Sequence, residues 1–383
     1  MYTRRIVGAT LLVDRGQTTA WYIVIWWENA CAEGDLECVS ASYRLFVSVP
    51  RRQRRCRAPR RFVRCRTLDL MELSVAKDGG EKWGVLLLAH GAPDRLEDIP
   101  AFLLNVRGGR KLPEAAVNEI MRRYGLIGGS PLLRLSTLQA QGLAKRLGRP
   151  IYLGMRNWKP FISDAVRQIS ADGVERVVAI CLAPQNSRTS IGLYKRHLFD
   201  EMERLAPQVG VDFIENWHDH PGLVEAFRER VATALACVQD ETGGPVPVIF
   251  TAHSVPQKTI EDGDPYERQV KETASLVARA LGLQEYDVCF QSQGMTAEPW
   301  IGPTVESLID RAAAQGRRHL LLAPVGFVCD HIEILYDIDV VFREYGRTRG
   351  VTVHRSESLN DSPLFIEALA AIAGERAARQ MGR

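Results

Sequence analysis

Apolar and polar positions along the chain form two alternating kinds of segment. Short apolar runs bounded by Gly and Pro are typical of buried strands, and longer segments with apolar residues three and four apart are typical of helices. The predicted strands, some with their following turn, lie at 83–93, 150–158, 174–187, 245–256, 287–291 and 320–324. The predicted helices lie at 113–124, 132–147, 160–171, 192–205, 221–238, 264–281, 303–316 and 362–379, with one more that begins near 333. This alternation predicts an α/β fold of parallel sheets flanked by helices.

One sequence pattern occurs twice. VLLLAHGAP and VIFTAHSVP each place an apolar strand before Ala-His-x-x-Pro, and VVAICLAPQNS and LLLAPVGFV each place one before Ala-Pro. His90 and His253 therefore hold corresponding positions. We predict two similar Rossmann-like halves, residues 83–240 and 241–380, with a cleft where the carboxyl ends of their strands meet.

The segment from Arg318 to Val341 changes from a strand pattern to a helical one. Its second half places Asp330, Glu333 and Asp337 on one helical face, where like charges add nothing to helix stability. A solvated acidic face is the simpler interpretation. Because the helix begins just past the end of a buried strand, where α/β sheets bind ligands, we favour an acidic face that lines the cleft.

His253 follows the first strand of the second copy. A single histidine there is more often structural, but Glu333 lies at the corresponding edge of another strand. Such a pair could transfer protons near neutral pH or hold a divalent first-row metal, and the residues leave those two roles open.

Arginines crowd a Gly-rich segment that follows His90. They are Arg107, Arg110, Arg122 and Arg123. Arg side chains bind carboxylates through two hydrogen bonds, and Gly-rich turns offer backbone N–H groups to anions. The set indicates an anionic organic ligand beside a metal-handling site, and a solvated basic loop is the alternative.

Residues 1–70 differ in composition from the rest of the chain. They carry 13 Arg, no Lys and six acidic residues, a net charge of +7 against +3 for the whole chain. A nucleic-acid-binding arm, a disordered extension and a true start of translation at Met71 are three interpretations. The abrupt change at Met71 favours the third. No nucleic-acid partner is expected for the remaining chain.

The eight cysteines form no CxxC pair, so free thiols in a reducing compartment are expected. The longest early apolar run, Ala20 to Trp27, is too short to span a bilayer, and Asp14 and Arg15 interrupt any signal-peptide pattern. These observations predict a cytoplasmic protein without a transmembrane segment.

Several long motifs resemble those of the ferrochelatases, enzymes that insert ferrous iron into a porphyrin. VIFTAHSVP, DPYERQV, FQSQGMTAEPWIGP and PVGFVCDHIEILYDID match the second half of that family, and LLLAHGAP, RGGRK, RRYGLIGGSPL and APQNS match the first. The resemblance runs from about Trp83 to Ala371 and excludes residues 1–70. It implies a lyase of haem biosynthesis with a porphyrin cleft between two αβ halves. Its partners would be a porphyrin, ferrous iron and a downstream haem-pathway enzyme.

The resemblance also implies roles for residues of the second half. His253 and Glu333 would handle the iron and the pyrrole protons, with a neutral His253 accepting a proton. Asp337 would continue an acidic path. Many relatives carry a third acid one turn further, where this chain has Val341. The path would then be shorter or would run through Asp339.

The first half of the resemblance concerns the porphyrin. The chain passes from GAPDRLEDIPAFL to RGGRK without the longer apolar insertion of protoporphyrin enzymes. It therefore looks like the coproporphyrin III branch, in which His90 would replace an axial tyrosine as iron ligand. The remaining residues that match porphyrin contacts are Arg107, Arg123, Tyr124, Ser130 and Tyr194.

Other functions stay open at this point. A protoporphyrin IX ferrochelatase, another tetrapyrrole chelatase and a non-catalytic haem or porphyrin carrier are the alternatives. Some ferrochelatases bind a [2Fe–2S] cluster through cysteines in a C-terminal extension. No Cys follows Cys329, so we expect no iron–sulfur cluster and no cofactor beyond the substrate iron.

Overall fold

The structure, a computed structural model, describes residues 82–294 and 298–381. Near the start of the chain it also describes a two-residue antiparallel pairing of Arg5–Ile6 with Trp26–Trp27. The predictions made for residues 1–70 otherwise fall outside the described residues. All elements discussed below belong to the unit that spans Ala76–Arg383.

The first sheet contains four parallel strands. They are β1 (Trp83–Ala89), β2 (Ile151–Met155), β3 (Arg176–Cys181) and β4 (Gly210–Ile214). Their order in the sheet is β2-β1-β3-β4. The helices that follow or connect them are a 3-10 turn (Leu96–Asp98), α1 (Ile99–Val106), α2 (Glu114–Leu126), α3 (Leu132–Leu147), α4 (Ile162–Ala171), α5 (Ile191–Leu205) and α6 (Pro221–Thr242).

The second sheet also contains four parallel strands. They are β5 (Val248–His253), β6 (Asp287–Gln291), β7 (His319–Pro324) and β8 (Thr352–Arg355), in the order β8-β7-β5-β6. The accompanying helices are α7 (Gln257–Glu261), α8 (Tyr266–Leu281), α9 (Val305–Ala314), a π-helix (Glu333–Phe342), α10 (Arg343–Thr348) and α11 (Pro363–Met381).

The two sheets have the same strand order. In each, the first strand lies between the second and the third, and the fourth lies beyond the third. This shared order confirms the prediction of two similar parallel α/β halves. His90 follows β1 and His253 ends β5, so the two histidines lie at the same point of their sheets.

One hydrophobic core is built from both sheets. Val85 and Leu87 of β1 belong to it together with Phe250 of β5. Leu86 and Leu88 point the other way and pack with residues of α4 and α5. Because successive side chains of a strand alternate between faces, burial on both faces requires the unbroken apolar runs seen in the sequence.

The last helix returns to the first half. Helix α11 packs against α3 and α6, with ion pairs of 2.7 Å between Arg146 and Glu367 and between Arg376 and Asp212. Helix α6 ends at Thr242, two residues past the predicted boundary between the halves at residue 240. That boundary stays a prediction.

Helix α1 and the strands β4 and β8 were not predicted from the sequence. Both strands are short and lie at sheet edges, and their sequences, GVDFI and TVHR, contain polar residues that break an apolar pattern. Within residues 82–294 and 298–381, no helix is both long and apolar enough to cross a membrane.

Candidate functional site

A cavity of about 1210 Å³ opens where the strands of both sheets end. Its wall is formed by the turns after β1 and β7, by the ends of β3, β5 and β6, and by parts of α2, α5 and the π-helix. Pockets for small molecules usually measure about 300–1,000 Å³, so this one has room for a large flat ligand. The predicted site residues in its wall are His90, Arg123, Tyr124, Ser130, Tyr194, His253, Glu333 and Asp337.

The turn after β7 lies directly against the end of β5. The N–H of Gly326 donates to the carbonyl of Thr251 at 3.1 Å, and a Cβ on Gly326 would approach the Cβ of Ala252 to 2.5 Å. Only glycine allows such close contact. The approach brings the segment that leads into the π-helix beside His253.

Glu333 lies between two histidines. Its Oε1 is 3.5 Å from Nε2 of His253, and its Oε2 is 3.5 Å from Nε2 of His331. Nδ1 of His253 contacts the backbone carbonyl of Ser254, which can only accept a hydrogen bond. The proton on Nδ1 is thereby held, and Nε2, which faces Glu333 and the cavity, is the nitrogen that exchanges protons.

His253 and Glu333 carry opposite charges at neutral pH. Burial lowers the pKa of His253, but the charge and hydrogen bond of Glu333, the carbonyl of Ser254 and the charge of Asp337 together raise it to about 9. Burial raises the pKa of Glu333, but His253 and His331 outweigh burial and hold it well below its ordinary value. The neutral His253 expected from the resemblance is corrected: its Nε2 must first lose a proton before it can accept another.

The acidic segment forms a π-helix rather than the predicted α-helix. Because a π-helix bonds residue i to i+5, residues four apart share a face more closely than in an α-helix. Glu333, Asp337 and Val341 accordingly all line the cavity. The face of the π-helix that lines the cavity therefore carries two acidic residues, Glu333 and Asp337, followed by the apolar Val341.

Asp337 and Glu333 are connected to the end of β6. The hydroxyl of Ser292 donates to Asp337, and Nε2 of Gln291 donates to the backbone carbonyl of Glu333 at 2.9 Å. Burial raises the pKa of Asp337, the Ser292 hydroxyl opposes this, and the charge of Glu333 adds to it, so the net shift is upward. Asp337 therefore gains a proton more readily than an ordinary aspartate.

Asp330 and Asp339 face away from the cavity toward Arg355 of β8. Nη1 of Arg355 lies 3.2 Å from Asp330, its Nη2 lies 2.9 Å from Asp339, and Arg343 also pairs with Asp339 at 3.0 Å. Neither carboxylate lines the cavity. The predicted inclusion of Asp330 in the acidic face is wrong, and so is the proposed route through Asp339.

His90 projects into the cavity from the turn after β1. Its ring packs edge-on against Phe102 with centroids 5.9 Å apart, and Nδ1 lies 3.0 Å from the carbonyl of Gly91. His90 has exposed surface in the open cavity, but the protein atoms packed around it and the positive charge of Arg156 lower its pKa to about 4. His90 is neutral at pH 7, which is the state in which imidazole binds metals.

Three other predicted contacts are buried residues of the first half. Tyr124 is 4% exposed, Tyr194 is 6% exposed and Ser130 is 6% exposed. Burial raises the pKa of both tyrosines, so their hydroxyl groups stay protonated and can donate hydrogen bonds. These side chains give the cavity wall neutral polar groups at fixed positions.

The two arginines predicted to contact a porphyrin differ in position. Nε of Arg123 pairs with Glu119 at 2.9 Å, and its guanidinium lies 5.2 Å from the ring centre of Tyr336 in the π-helix. Arg123 thereby links the two halves beside the cavity. Arg107 is exposed on the turn after α1 and is not part of the cavity wall, although Val106 is. Its predicted contact stays a prediction.

His331 and Arg156 line the cavity but were not predicted as site residues. His331 lies two positions before Glu333, and Arg156 immediately follows β2. The motif PVGFVCDHIE contains both His331 and Glu333. The position of His331, two residues before the predicted glutamate, could have identified it. Arg156 had no signal, because an arginine after an edge strand is ordinarily a solvated residue.

Within residues 82–294 and 298–381, no three His, Cys, Asp or Glu side chains are grouped in a way that could hold a metal ion. Iron is a substrate in the reaction that the resemblance implies. The metal-binding roles of His253 and Glu333, and the expectation of no iron–sulfur cluster, stay predictions.

Comparison with known proteins extends these observations. The family model described as Ferrochelatase matches residues 82–377. The ferrochelatase of Acidobacterium capsulatum is 47% identical over 308 residues, which cover 76% of this chain and 94% of that protein. The coproporphyrin III ferrochelatase of Geobacillus sp. is 38% identical over 305 residues, which cover 77% of this chain and 98% of that protein.

Among solved structures, SirB from Bacillus subtilis with Fe3+ matches 79% of this chain and 98% of its own, with a TM-score of 0.53 and 13% identity. At that identity the similarity concerns the fold alone, and it agrees with the two-sheet architecture described above. The match to the family model and the identity to the Acidobacterium capsulatum protein cover most of both chains. This chain belongs to the ferrochelatase family and is an enzyme that inserts iron into a porphyrin.

Proposed function

We propose that this ferrochelatase inserts ferrous iron into coproporphyrin III, a step of haem biosynthesis. The connection between β1 and α2 carries the choice of substrate. It contains a 3-10 turn, the eight-residue helix α1 and a turn that includes Arg107 and Arg110. A connection this short lacks the long apolar insertion of protoporphyrin enzymes, and its exposed cations suit a porphyrin with more carboxylates. The similarity to the Geobacillus sp. protein supports the same choice.

The reaction must remove two protons. A free porphyrin has two pyrrole N–H groups, and both protons leave as one Fe²⁺ binds the four nitrogens. Once His253 has released its own proton, Nε2 accepts one from a pyrrole, and Glu333 stabilises the charge that forms. Asp337, which holds a proton more readily than an ordinary aspartate, receives protons at the next position along the π-helix.

The macrocycle would lie between His90 and His253, which come from opposite halves of the molecule. A flat porphyrin directs its nitrogen lone pairs into the ring plane, and bending by the cavity would turn them toward the incoming metal. Neutral His90 would ligate the iron from the face opposite His253. Tyr124, Ser130 and Tyr194 would contact the edge of the ring.

An anaerobic insertion assay tests this function. Purified protein is supplied with Fe²⁺ and either coproporphyrin III or protoporphyrin IX, and metalloporphyrin formation is followed by absorbance. We expect faster insertion into coproporphyrin III. Faster insertion into protoporphyrin IX would assign the protein to the other branch, and binding of both porphyrins without insertion would indicate a carrier.

His253→Ala separates chemistry from binding in the same assay. We expect insertion to be nearly abolished while coproporphyrin III binding changes by no more than about tenfold, because the imidazole acts on protons and metal rather than on affinity. His197→Ala, on the exposed side of α5, is the matched control and should insert iron at the wild-type rate. Wild-type turnover in His253→Ala would remove His253 from the mechanism.

A further inference from the structure

Arg156 is a cation in the cavity wall without an anionic partner among the described residues. Its Nη1 is shielded from solvent and has no hydrogen-bond partner within the described part of the chain. Its guanidinium lies 5.0 Å from the ring centre of Tyr194. Stacking on an aromatic ring compensates only partly for the water that a charged group loses on burial. The site therefore favours a ligand that brings a negative charge to Arg156.

Arg123 provides the contrast. It lines the same cavity, but Glu119 already pairs with it at 2.9 Å, so a ligand anion would have to share that guanidinium. Glu119 also pairs with Arg122 at 2.8 Å. Among the residues that the structure describes, Arg156 has no comparable carboxylate beside it. A substrate carboxylate therefore gains more binding free energy from Arg156 than from Arg123.

The fold holds Arg156 at the turn that carries His90. The backbone N–H of Arg156 donates to the carbonyl of Ala89 at 3.0 Å, and the N–H of Asn157 donates to the carbonyl of His90 at 3.0 Å. Helix α5 contributes Tyr194, over which the guanidinium lies. These backbone bonds fix where the side chain of Arg156 starts, and the ring of Tyr194 gives its planar guanidinium a surface to lie against.

We propose that Arg156 binds one carboxylate of the tetrapyrrole substrate and favours porphyrins that have carboxylates on every pyrrole ring. This inference rests on the proposed function, because it deepens the substrate preference of the same cavity. Arg123 lies against Tyr336 of the π-helix and Arg156 against Tyr194 of α5, so the two cations belong to different parts of the wall. Coproporphyrin III has a propionate on each of its four rings, so it brings a carboxylate to each side of the wall that its rings face. Protoporphyrin IX has vinyl groups on two rings, and these gain nothing from a cation.

A metal-free binding measurement tests the inference without relying on iron insertion. The probes are coproporphyrin III and its uncharged tetramethyl ester, and binding is followed by porphyrin fluorescence. A hydrogen bond to a charged group contributes about 1.5–3 kcal/mol. We therefore expect Arg156→Met to weaken coproporphyrin III binding by about ten- to a hundredfold and to leave ester binding within about twofold. Arg156→Lys should retain most of the affinity.

Controls distinguish binding from folding. Arg167→Met makes the same change at an exposed arginine of α4 and should bind both probes like the wild type. If Arg156→Met has a lowered melting temperature, Arg156→Gln is the second neutral variant, with the same expected selective loss.

Two outcomes would overturn the inference. One is unchanged coproporphyrin III affinity in a folded neutral variant. The other is an equal loss for acid and ester, which would indicate a structural role. Either result, in an enzyme that still inserts iron, leaves the proposed function intact. A wild-type protein that binds no coproporphyrin III would instead contradict both proposals.

Discussion

At the scale of single residues, the site is defined by a proton held between His253 and Glu333. Burial lowers the pKa of His253, but Glu333, assisted by the Ser254 carbonyl and the charge of Asp337, raises it to about 9 against an ordinary value of 6.5. The two neighbouring histidines outweigh burial and hold the pKa of Glu333 well below its ordinary value of 4.5. The stability contributed by this pair is therefore complete between those two ordinary values. It is lost as pH rises through the folded pKa of His253, and it is also lost as pH falls through the folded pKa of Glu333.

An NMR titration of metal-free protein checks this arrangement. We expect the ring signals of His253 to titrate near pH 9 in the wild type and at lower pH in Glu333→Gln, because burial then acts without the opposing charge. Glu201→Gln, on α5, is the matched control and should leave the His253 titration unchanged. A wild-type His253 that titrates at or below pH 6.5 would contradict the ion pair.

At the scale of elements, the π-helix is held in place from outside the cavity. Arg355 of β8, whose side chain is 12% exposed, binds Asp330 before the helix and Asp339 within it. Arg343 binds the same Asp339 but is 51% exposed. Breaking a buried ion pair leaves an unpaired charge at a cost of about 3 kcal/mol, whereas exposed pairs contribute about 0–1 kcal/mol.

Urea unfolding of two variants compares these arginines. Arg355→Met should lower the free energy of unfolding by about 3 kcal/mol, and Arg343→Met by less than about 1 kcal/mol. Arg355→Met should also slow iron insertion, since Glu333 and Asp337 depend on the position of the π-helix. Equal losses in the two variants would mean that burial does not decide the strength of this network.

At the scale of the whole molecule, the two halves share one hydrophobic core. Its residues lie between Trp83 and Ala377 in the sequence. We expect a chain that begins at Met71 to match the full chain in melting temperature and in iron insertion. A chain that ends at Ser362 should fail to fold, because it loses Phe365, Leu369 and other core residues of α11. Loss of folding or activity in the chain from Met71 would show that residues 1–70 contribute to the enzyme.

The sequence by itself determined the architecture and the central pair. Parallel strands covered by helices must be apolar on both faces, so β1, β3, β5 and β7 were readable as unbroken apolar runs. The repeated Ala-His-x-x-Pro placed His90 and His253 at corresponding strand ends. Long motifs such as PVGFVCDHIEILYDID predicted Glu333 and Asp337 as site residues and indicated the ferrochelatase family.

Only the tertiary structure decided which charged side chains reach the cavity. Arg123 lines it and Arg107 does not, while Asp330 and Asp339 turn to Arg355, a partner on another strand. Arg156 becomes a cavity residue because Tyr194, 38 positions later in the chain, lies beneath it. Local periodicity reports how residues repeat around their own helix or strand. The direction and burial of a charge depend on neighbours that are distant in sequence, and those neighbours meet only when the strands and helices of a half pack together.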